Sequence, residues 1–402
     1  MKVLHVVSSY WPAYEFGGPI QSVHLLNKYL VKEGLDIVVY TTNSGLKSRR
    51  KVGTPTPAGA SGKIPLKKEV VLDGIKVFYS PYYGYVHFTF SPALFFALAK
   101  NVKNFDLIHI TGVWNFPVLA AAFWARFYKK PYIISPRGSL MKEPLEIKSP
   151  LKKKIHLFLF GKRDLKNVAA IHFTTEAEKK EYISTGLPIK KSFIIPNGLD
   201  FEEFKENVPS GTFRKKWNID SKKKIVLFLG RLNWKKGLDT LIPAFKLVIK
   251  KEPNALLVLG GIADKGYKEV VEKMISDENI SDKVLFTGFF PGKDIAALKD
   301  SDVFVLPSYS ENFGMAVIQA MYLGLAVVIT KNVGIALDVN RAGAGIVVNK
   351  NEKEVSEAIL KILNNSVLAK QMGERGKRLV ETEFSPTSVA EKFLKLYNEL
   401  LI

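Results

Sequence analysis

A chain of 402 residues, 47% of them hydrophobic, is long enough for two domains that each bury a core of their own. It has no cysteine, which excludes a disulfide framework, a thiolate zinc site and a cysteine nucleophile. With 59 basic against 38 acidic residues the net charge is +21, a surface that attracts polyanions: nucleic acid, anionic lipid or phosphorylated substrates.

Met1-Lys2 leads directly into the apolar run Val3 to Val7, too short for the core of an export signal and read as a first strand. Gly17-Gly18-Pro19 follows, and lets backbone approach a phosphate or sugar closely. Ile20 to Leu30 has apolar residues near helical spacing, Gly34 stops it, and Ile37 to Tyr40 is the next strand, completing a βαβ unit. Residues 43 to 69 hold Gly, Pro, Ser, Thr and many cations with no apolar period until Val70. They read as a mobile loop, either a solvated basic excursion or a segment that contacts an acceptor.

Near-continuous apolar strands recur at Leu107 to Ile110, Tyr132 to Ile134, Ala169 to Phe173 and Phe193 to Ile195, the pattern of a parallel sheet covered on both faces. The apolar stretch Phe116 to Phe127 falls short of the roughly 20 residues that cross a bilayer. Pro196-Asn197-Gly198 and the polar Glu202 to Lys215 read as a linker, giving a first domain over 1–205 and a second over 206–385. The second series runs Ile225 to Leu229, Ala255 to Leu259, Val284 to Phe286, Val303 to Leu306, Ala326 to Ile329 and Gly345 to Val348. The fold class is therefore α/β, two doubly wound sheets, with the cleft between them the expected ligand site. Ser385-Pro386 opens a final amphipathic helix carrying Val389, Phe393, Leu396 and Leu400.

Chemistry concentrates at strand ends. His109 sits in an apolar strand, a place that suits a satisfied core residue, or contact with a sugar if it reaches the carboxyl edge. Arg137 reads equally as a surface residue or as a grip on an anionic or hydroxylated acceptor. The cluster Lys152 to Lys154, Ile155, Leu157 to Phe160, Lys162, Arg163 and Lys166 reads either as an anionic-lipid docking face or as a half-buried helix with a solvated basic side. In Gly230-Arg231-Leu232-Asn233-Trp234-Lys235-Lys236-Gly237, Arg231 and Lys236 flank a strand-to-helix turn. Alone this reads as a basic loop, but a forked and a compact cation at a sheet edge also suit a diphosphate. Asp300-Ser301-Asp302 spells a metal-binding pattern, but it precedes a buried strand and reads as structural. Phe313-Gly314-Met315 opens a helix whose free amides suit an anion, and Glu311 just upstream can grip hydroxyl groups.

The run from Glu311 to Gly324 resembles the Glu-x-Phe-Gly-x-x-x-x-Glu-Ala-Met-x-x-Gly signature of glycosyltransferase family 4. Gly230 to Gly237 resembles the same family's Gly-Arg-x-x-x-x-Lys-Gly motif, and Asp106 to His109 its Asp-x-x-His segment. The resemblance implies the two-domain GT-B fold, with Rossmann-like domains facing each other across a cleft and the final helix crossing back onto the first domain. It implies a retaining transferase that uses a nucleotide-sugar donor, with no cofactor and no metal required. Glu311, Arg231, Lys236 and His109 would serve the reaction. Gly17, Gly18, Asn312, Phe313, Gly314, Met315 and Gln319 would hold the donor, and Arg137 the acceptor.

Two positions depart from the family pattern. Gln319 replaces the Glu that holds the ribose, and Thr111 stands where a second His is common. The expected partners are a nucleotide sugar, a glycan or lipid-linked acceptor and an anionic membrane, with no nucleic acid. The expected setting is the cytoplasm and the inner face of the membrane, in cell-envelope polysaccharide or lipopolysaccharide synthesis. A sugar-nucleotide epimerase and a non-catalytic glycan or nucleotide binder are the alternatives.

Overall fold

Alternating apolar strands and amphipathic helices organise the chain into two α/β units, in a computed structural model that describes residues 1–13, 18–46, 64–147, 149–288 and 295–402. The first unit comprises Met1–Gly198 with Pro386–Ile402, and the second Leu199–Ser385. Residues 199–205, which the sequence places in the first domain, belong to the second: Leu199 and Phe204 are buried in its core, and Phe201 stacks on Tyr322 at 4.6 Å.

The first unit is built on β1 (Lys2–Val7), β2 (Asp36–Thr42), β3 (Glu69–Leu72), β4 (Ile75–Ser80), β5 (Leu107–Thr111), β6 (Tyr132–Ser135), β7 (Ala170–Phe173) and β8 (Ser192–Ile194). Their order in the sheet is β3-β4-β2-β1-β5-β6-β7-β8. All pairs are parallel except β3 with β4. The expected helix is Gly18–Lys32, and the closing helix is Pro386–Leu401, whose Val389, Phe393 and Leu396 enter the same core as Val23, Leu26 and Leu30. The hairpin β3–β4 is a finding that the 43–69 loop reading does not contain. Residues 47–63 of that loop, and Gly17, lie outside the described residues.

The second unit carries β9 (Lys224–Leu229), β10 (Ala255–Gly260), β11 (Val284–Gly288), β12 (Val303–Leu306), β13 (Val327–Thr330) and β14 (Gly345–Val348), in the order β11-β10-β9-β12-β13-β14 and parallel throughout. The inner strands β9, β10, β12 and β13 are buried under helices such as Leu238–Lys251 and Met315–Tyr322, hence their apolar runs, while the edge strands β11 and β14 are mostly half-buried. In each sheet the order reverses at one place, between β1 and β5 and between β9 and β12. Loops leave the carboxyl ends of neighbouring strands there in opposite directions and open a crevice.

Candidate functional site

In the second unit, the loops that follow β9 and β12 meet at this reversal. The turn after β9 rises through Gly230 and ends in a short 3-10 helix, Trp234–Lys236, closed by Gly237 in a left-handed conformation at φ 70°. A Cβ on Gly237 would stand 2.0 Å from the Pro307 carbonyl oxygen, so only glycine lets this turn lie against the end of β12. Tyr309 N–H donates to the Lys235 carbonyl at 2.8 Å and ties the two loops together.

Across this seam Lys236 Nζ donates to Glu311 Oε2. The lysine stem runs back over the first turn, its Cε 3.9 Å from where a Cβ on Gly230 would lie. Both side chains are mostly buried, at 19% and 23% exposure. The Glu311 backbone is fixed as well, donating to Asn332 O at 3.1 Å and accepting from Gly334 N–H at 2.8 Å. Gly314, at φ 104°, caps the helix Met315–Tyr322, whose first amides have no acceptor within the helix.

Arg231, expected as the second cation, shares the Gly230 turn but not the carboxylate. It is half exposed, with Nη1 3.9 Å from Asp264 Oδ1. Lys235 stands over the Trp234 ring at 5.6 Å. Asn312, Met315 and Gln319 are partly exposed around the helix start. The Phe313 ring, expected against a donor, is instead buried edge-on to Phe384 at 5.7 Å, because an aromatic side chain directly before a helix start fills the core beneath it. Only its main chain remains for a ligand.

Ser308 was not singled out in the sequence. Its Oγ is buried without a hydrogen-bond partner among the described residues, one residue past the proline that ends β12, as is Asn233 Oδ1 on the facing loop. Unpaired buried polar atoms at a carboxyl sheet edge are served by water or ligand. The signal that would have found Ser308 is its place two residues after an unbroken apolar strand.

In the first unit the reversal between β1 and β5 holds a pocket of about 240 Å³, lined by residues that include Ser8, Ser9, Thr111, Asn115, Arg137 and Ser139. Gly18 opens the helix Gly18–Lys32 beside it, and the following Pro19 and Ile20 line the pocket. Arg137 stands at φ 53° and donates from Nη1 to Asn197 Oδ1, while its Nε has no partner among the described residues. Burial lowers its pKa to about 10, against the nearby Glu178 carboxylate that raises it, so it stays cationic at neutral pH. Ser8, Ser9 and Asn115 were missed in the sequence, since small polar residues at loop starts carry no periodic signal.

His109, expected at the carboxyl edge, is a core residue. It is fully buried, and β5 continues two residues beyond it. Both its nitrogens are taken: Nδ1 by Tyr397 Oη at 2.7 Å and Nε2 by Ser135 Oγ at 2.7 Å. The proton order follows from the chain's far end. His172 Nε2 faces the Ile195 carbonyl at 2.8 Å and must donate to it, so its Nδ1 accepts from Ser135 Oγ at 2.7 Å. Ser135 then accepts from His109 Nε2–H, and His109 Nδ1 accepts the Tyr397 hydroxyl proton. His5 stacks on His109 at 4.2 Å and bonds Asn27 Oδ1 and Thr111 Oγ1, both at 2.8 Å. The Asp300 and Asp302 carboxylates are structural. Asp300 accepts from the amides of Gly211, Phe213 and Arg214 at 2.6, 2.9 and 3.1 Å, and Asp302 from that of Ile225 at 2.7 Å.

Comparison with known proteins assigns both halves. Residues 16–203 match the family described as Glycosyltransferase Family 4, and residues 210–379 the family described as Glycosyl transferases group 1. The chain is 28% identical over 215 residues to an uncharacterized glycosyltransferase of Methanocaldococcus jannaschii, a match spanning 52% of this chain and 54% of that protein. It is 26% identical over 320 residues to the N,N'-diacetylbacillosaminyl-diphospho-undecaprenol alpha-1,3-N-acetylgalactosaminyltransferase of Campylobacter jejuni, covering 76% of this chain and 81% of the relative. Among solved structures, Anabaena HepE in complex with UDP and glucose superposes with a TM-score of 0.74 at 17% identity, over 99% of this chain and 100% of that one.

Proposed function

The chain belongs to glycosyltransferase family 4, and from that premise we propose that it moves a sugar, with retention of anomeric configuration, from a nucleoside diphosphate to a glycan or lipid-linked acceptor. The observation that carries this reading is the Lys236–Glu311 pair at the reversal between β9 and β12. An arriving diphosphate competes for Lys236 and frees Glu311 to bind sugar hydroxyls. Arg231 and the amides at Met315 add positive charge on the same side, and Gln319 meets the ribose, its amide both donating and accepting.

The bond from the anomeric carbon to the phosphate oxygen breaks as the acceptor oxygen attacks from the same face, and the acceptor proton passes to the departing phosphate. Lys236, Arg231 and the helix start stabilise charge that grows on that phosphate, so neither a metal nor a side-chain base is required. The pocket beside Arg137 holds the acceptor. The relative named for a diphospho-undecaprenol substrate and the HepE complex with UDP support a lipid-linked acceptor and a nucleotide donor. The excess of cations supports work at the cytoplasmic, anionic face of a membrane in envelope polysaccharide or lipopolysaccharide synthesis.

A panel of nucleotide sugars tests this by NMR. The expected result is release of nucleoside diphosphate, unchanged by EDTA, and a product with the donor's own anomeric configuration. An inverted product would overturn retention, and interconversion of the donor sugar without release would identify an epimerase.

A further inference from the structure

One cluster singled out in the sequence has no part in the chemistry above. Residues 150–167 form a helical run in which Pro150–His156 and Lys162–Asn167 are joined through a π-turn, Leu157–Gly161. One side faces the core through Leu157, Gly161, Asp164 and Leu165, with Asp164 paired to Arg126. The other side carries Leu151, Ile155, Phe158 and Leu159 at i, i+4, i+7 and i+8, all exposed, Leu151 at 69% and Phe158 at 78%. The wide turn brings Phe160 out as well. A run that is apolar on its outer side as well as its inner one has a second apolar surface to cover.

Charge identifies what covers it. Every exposed charged side chain of the run is a cation: Lys152, Lys154, Lys162, Arg163 and Lys166, while its one acid, Asp164, is buried. Lys153 is turned aside, donating to the Ile147 carbonyl at 2.7 Å. In a symmetric contact with a second copy this patch would meet itself and oppose cation to cation. An anionic bilayer offers an apolar layer and a plane of phosphates together.

We propose that this face docks on anionic lipid, with Leu151, Ile155, Phe158 and Leu159 entering the headgroup–acyl boundary and the five cations meeting lipid phosphates. The inference deepens the lipid-linked acceptor reading by stating which surface brings the enzyme to its substrate's membrane.

Flotation of the full chain with phosphatidylcholine vesicles, with and without phosphatidylglycerol, tests it. Binding is expected only with phosphatidylglycerol and should weaken as salt rises. A Phe158→Ser, Leu159→Ser double variant and, separately, a Lys152→Glu, Lys154→Glu variant should each lose roughly tenfold or more of that binding, with melting temperature and donor turnover in solution unchanged. No flotation of the parent, or flotation of both variants equal to the parent's, would overturn the proposal. So would a dimer in light scattering that the double variant dissolves, since a second copy would then be the occupant. Vesicle binding without donor turnover would leave this surface standing and sink the transferase reading instead.

Discussion

Replacing Lys236 with alanine lowers the rate of sugar transfer at saturating donor by roughly 10²- to 10³-fold, the loss typical of removing one preorganised group from charge that develops in a transition state. The ammonium sits on Glu311 in a mostly buried seam, so its field is poorly screened there. Charge on the leaving diphosphate grows as the glycosidic bond breaks, so kcat falls more than KM rises. Glu311→Gln keeps hydroxyl-binding capacity but leaves Lys236 without its counter-ion, and loses less. Lys235→Ala is the internal control: its ammonium stands over the Trp234 ring, and its loss should change kcat by less than about twofold. Steady-state kinetics on the three variants checks the order, and equal losses at Lys235 and Lys236 would contradict it.

The second large effect concerns stability rather than rate. His109→Leu strips a partner from Ser135 and from Tyr397, both buried, and should destabilise the chain by about 2–4 kcal/mol. The folded fraction should retain donor turnover close to the parent's, because the imidazole does not reach solvent. A stable but inactive variant would restore His109 to the reaction.

The same cluster makes the fold acid-sensitive. Burial holds His5 at about 4 and His172 at about 3, against 6.5 for a free imidazole, and pushes His109 well below its usual value. Because these values are depressed, the unfolded chain binds protons first as pH falls. Their contribution is complete above pH 6.5 and is lost progressively as pH drops toward about 4 for His5 and about 3 for His172. Each histidine adds a slope of at most ~1.4 kcal/mol per pH unit in that window. Urea midpoints near pH 7 and near pH 5 should therefore differ, with a smaller difference in His172→Gln. A midpoint unchanged at the lower pH would contradict this account.

How far the sequence could be read follows from where each signal was local. β12 matches its expected bounds because a strand buried on both faces is an unbroken apolar run, here set between Asp302 and Pro307. β14 matches as a short apolar run, although three of its residues are only half-buried at the sheet edge. The β3–β4 hairpin escaped because Glu69 to Leu72 alternates between exposed and half-buried at a sheet edge and adjoins a polar loop. Its signal was nonetheless present. Asp73-Gly74, with φ 49° and 80°, is the two-residue turn that joins twisted antiparallel strands.

His109 was misplaced for a non-local reason. The closing helix covers that face of the sheet and brings Tyr397 to it from 288 residues away, which no spacing argument reaches. The pairing of Lys236 with Glu311, 75 residues apart, exists because β9 and β12 are neighbours in the sheet. The motif resemblance carried both residues into one site before any geometry did. Spacing alone placed them only on two separate loops.

The most direct test of the donor site is a thermal-shift titration of uridine, guanosine and adenosine diphosphates against the parent, Lys236→Ala and Lys235→Ala. A ligand that binds only the folded state raises the melting temperature. One nucleotide should shift the parent and Lys235→Ala alike and shift Lys236→Ala less. An undiminished shift in Lys236→Ala, or none in the parent with any of the three, would contradict a diphosphate site at the meeting of the β9 and β12 loops.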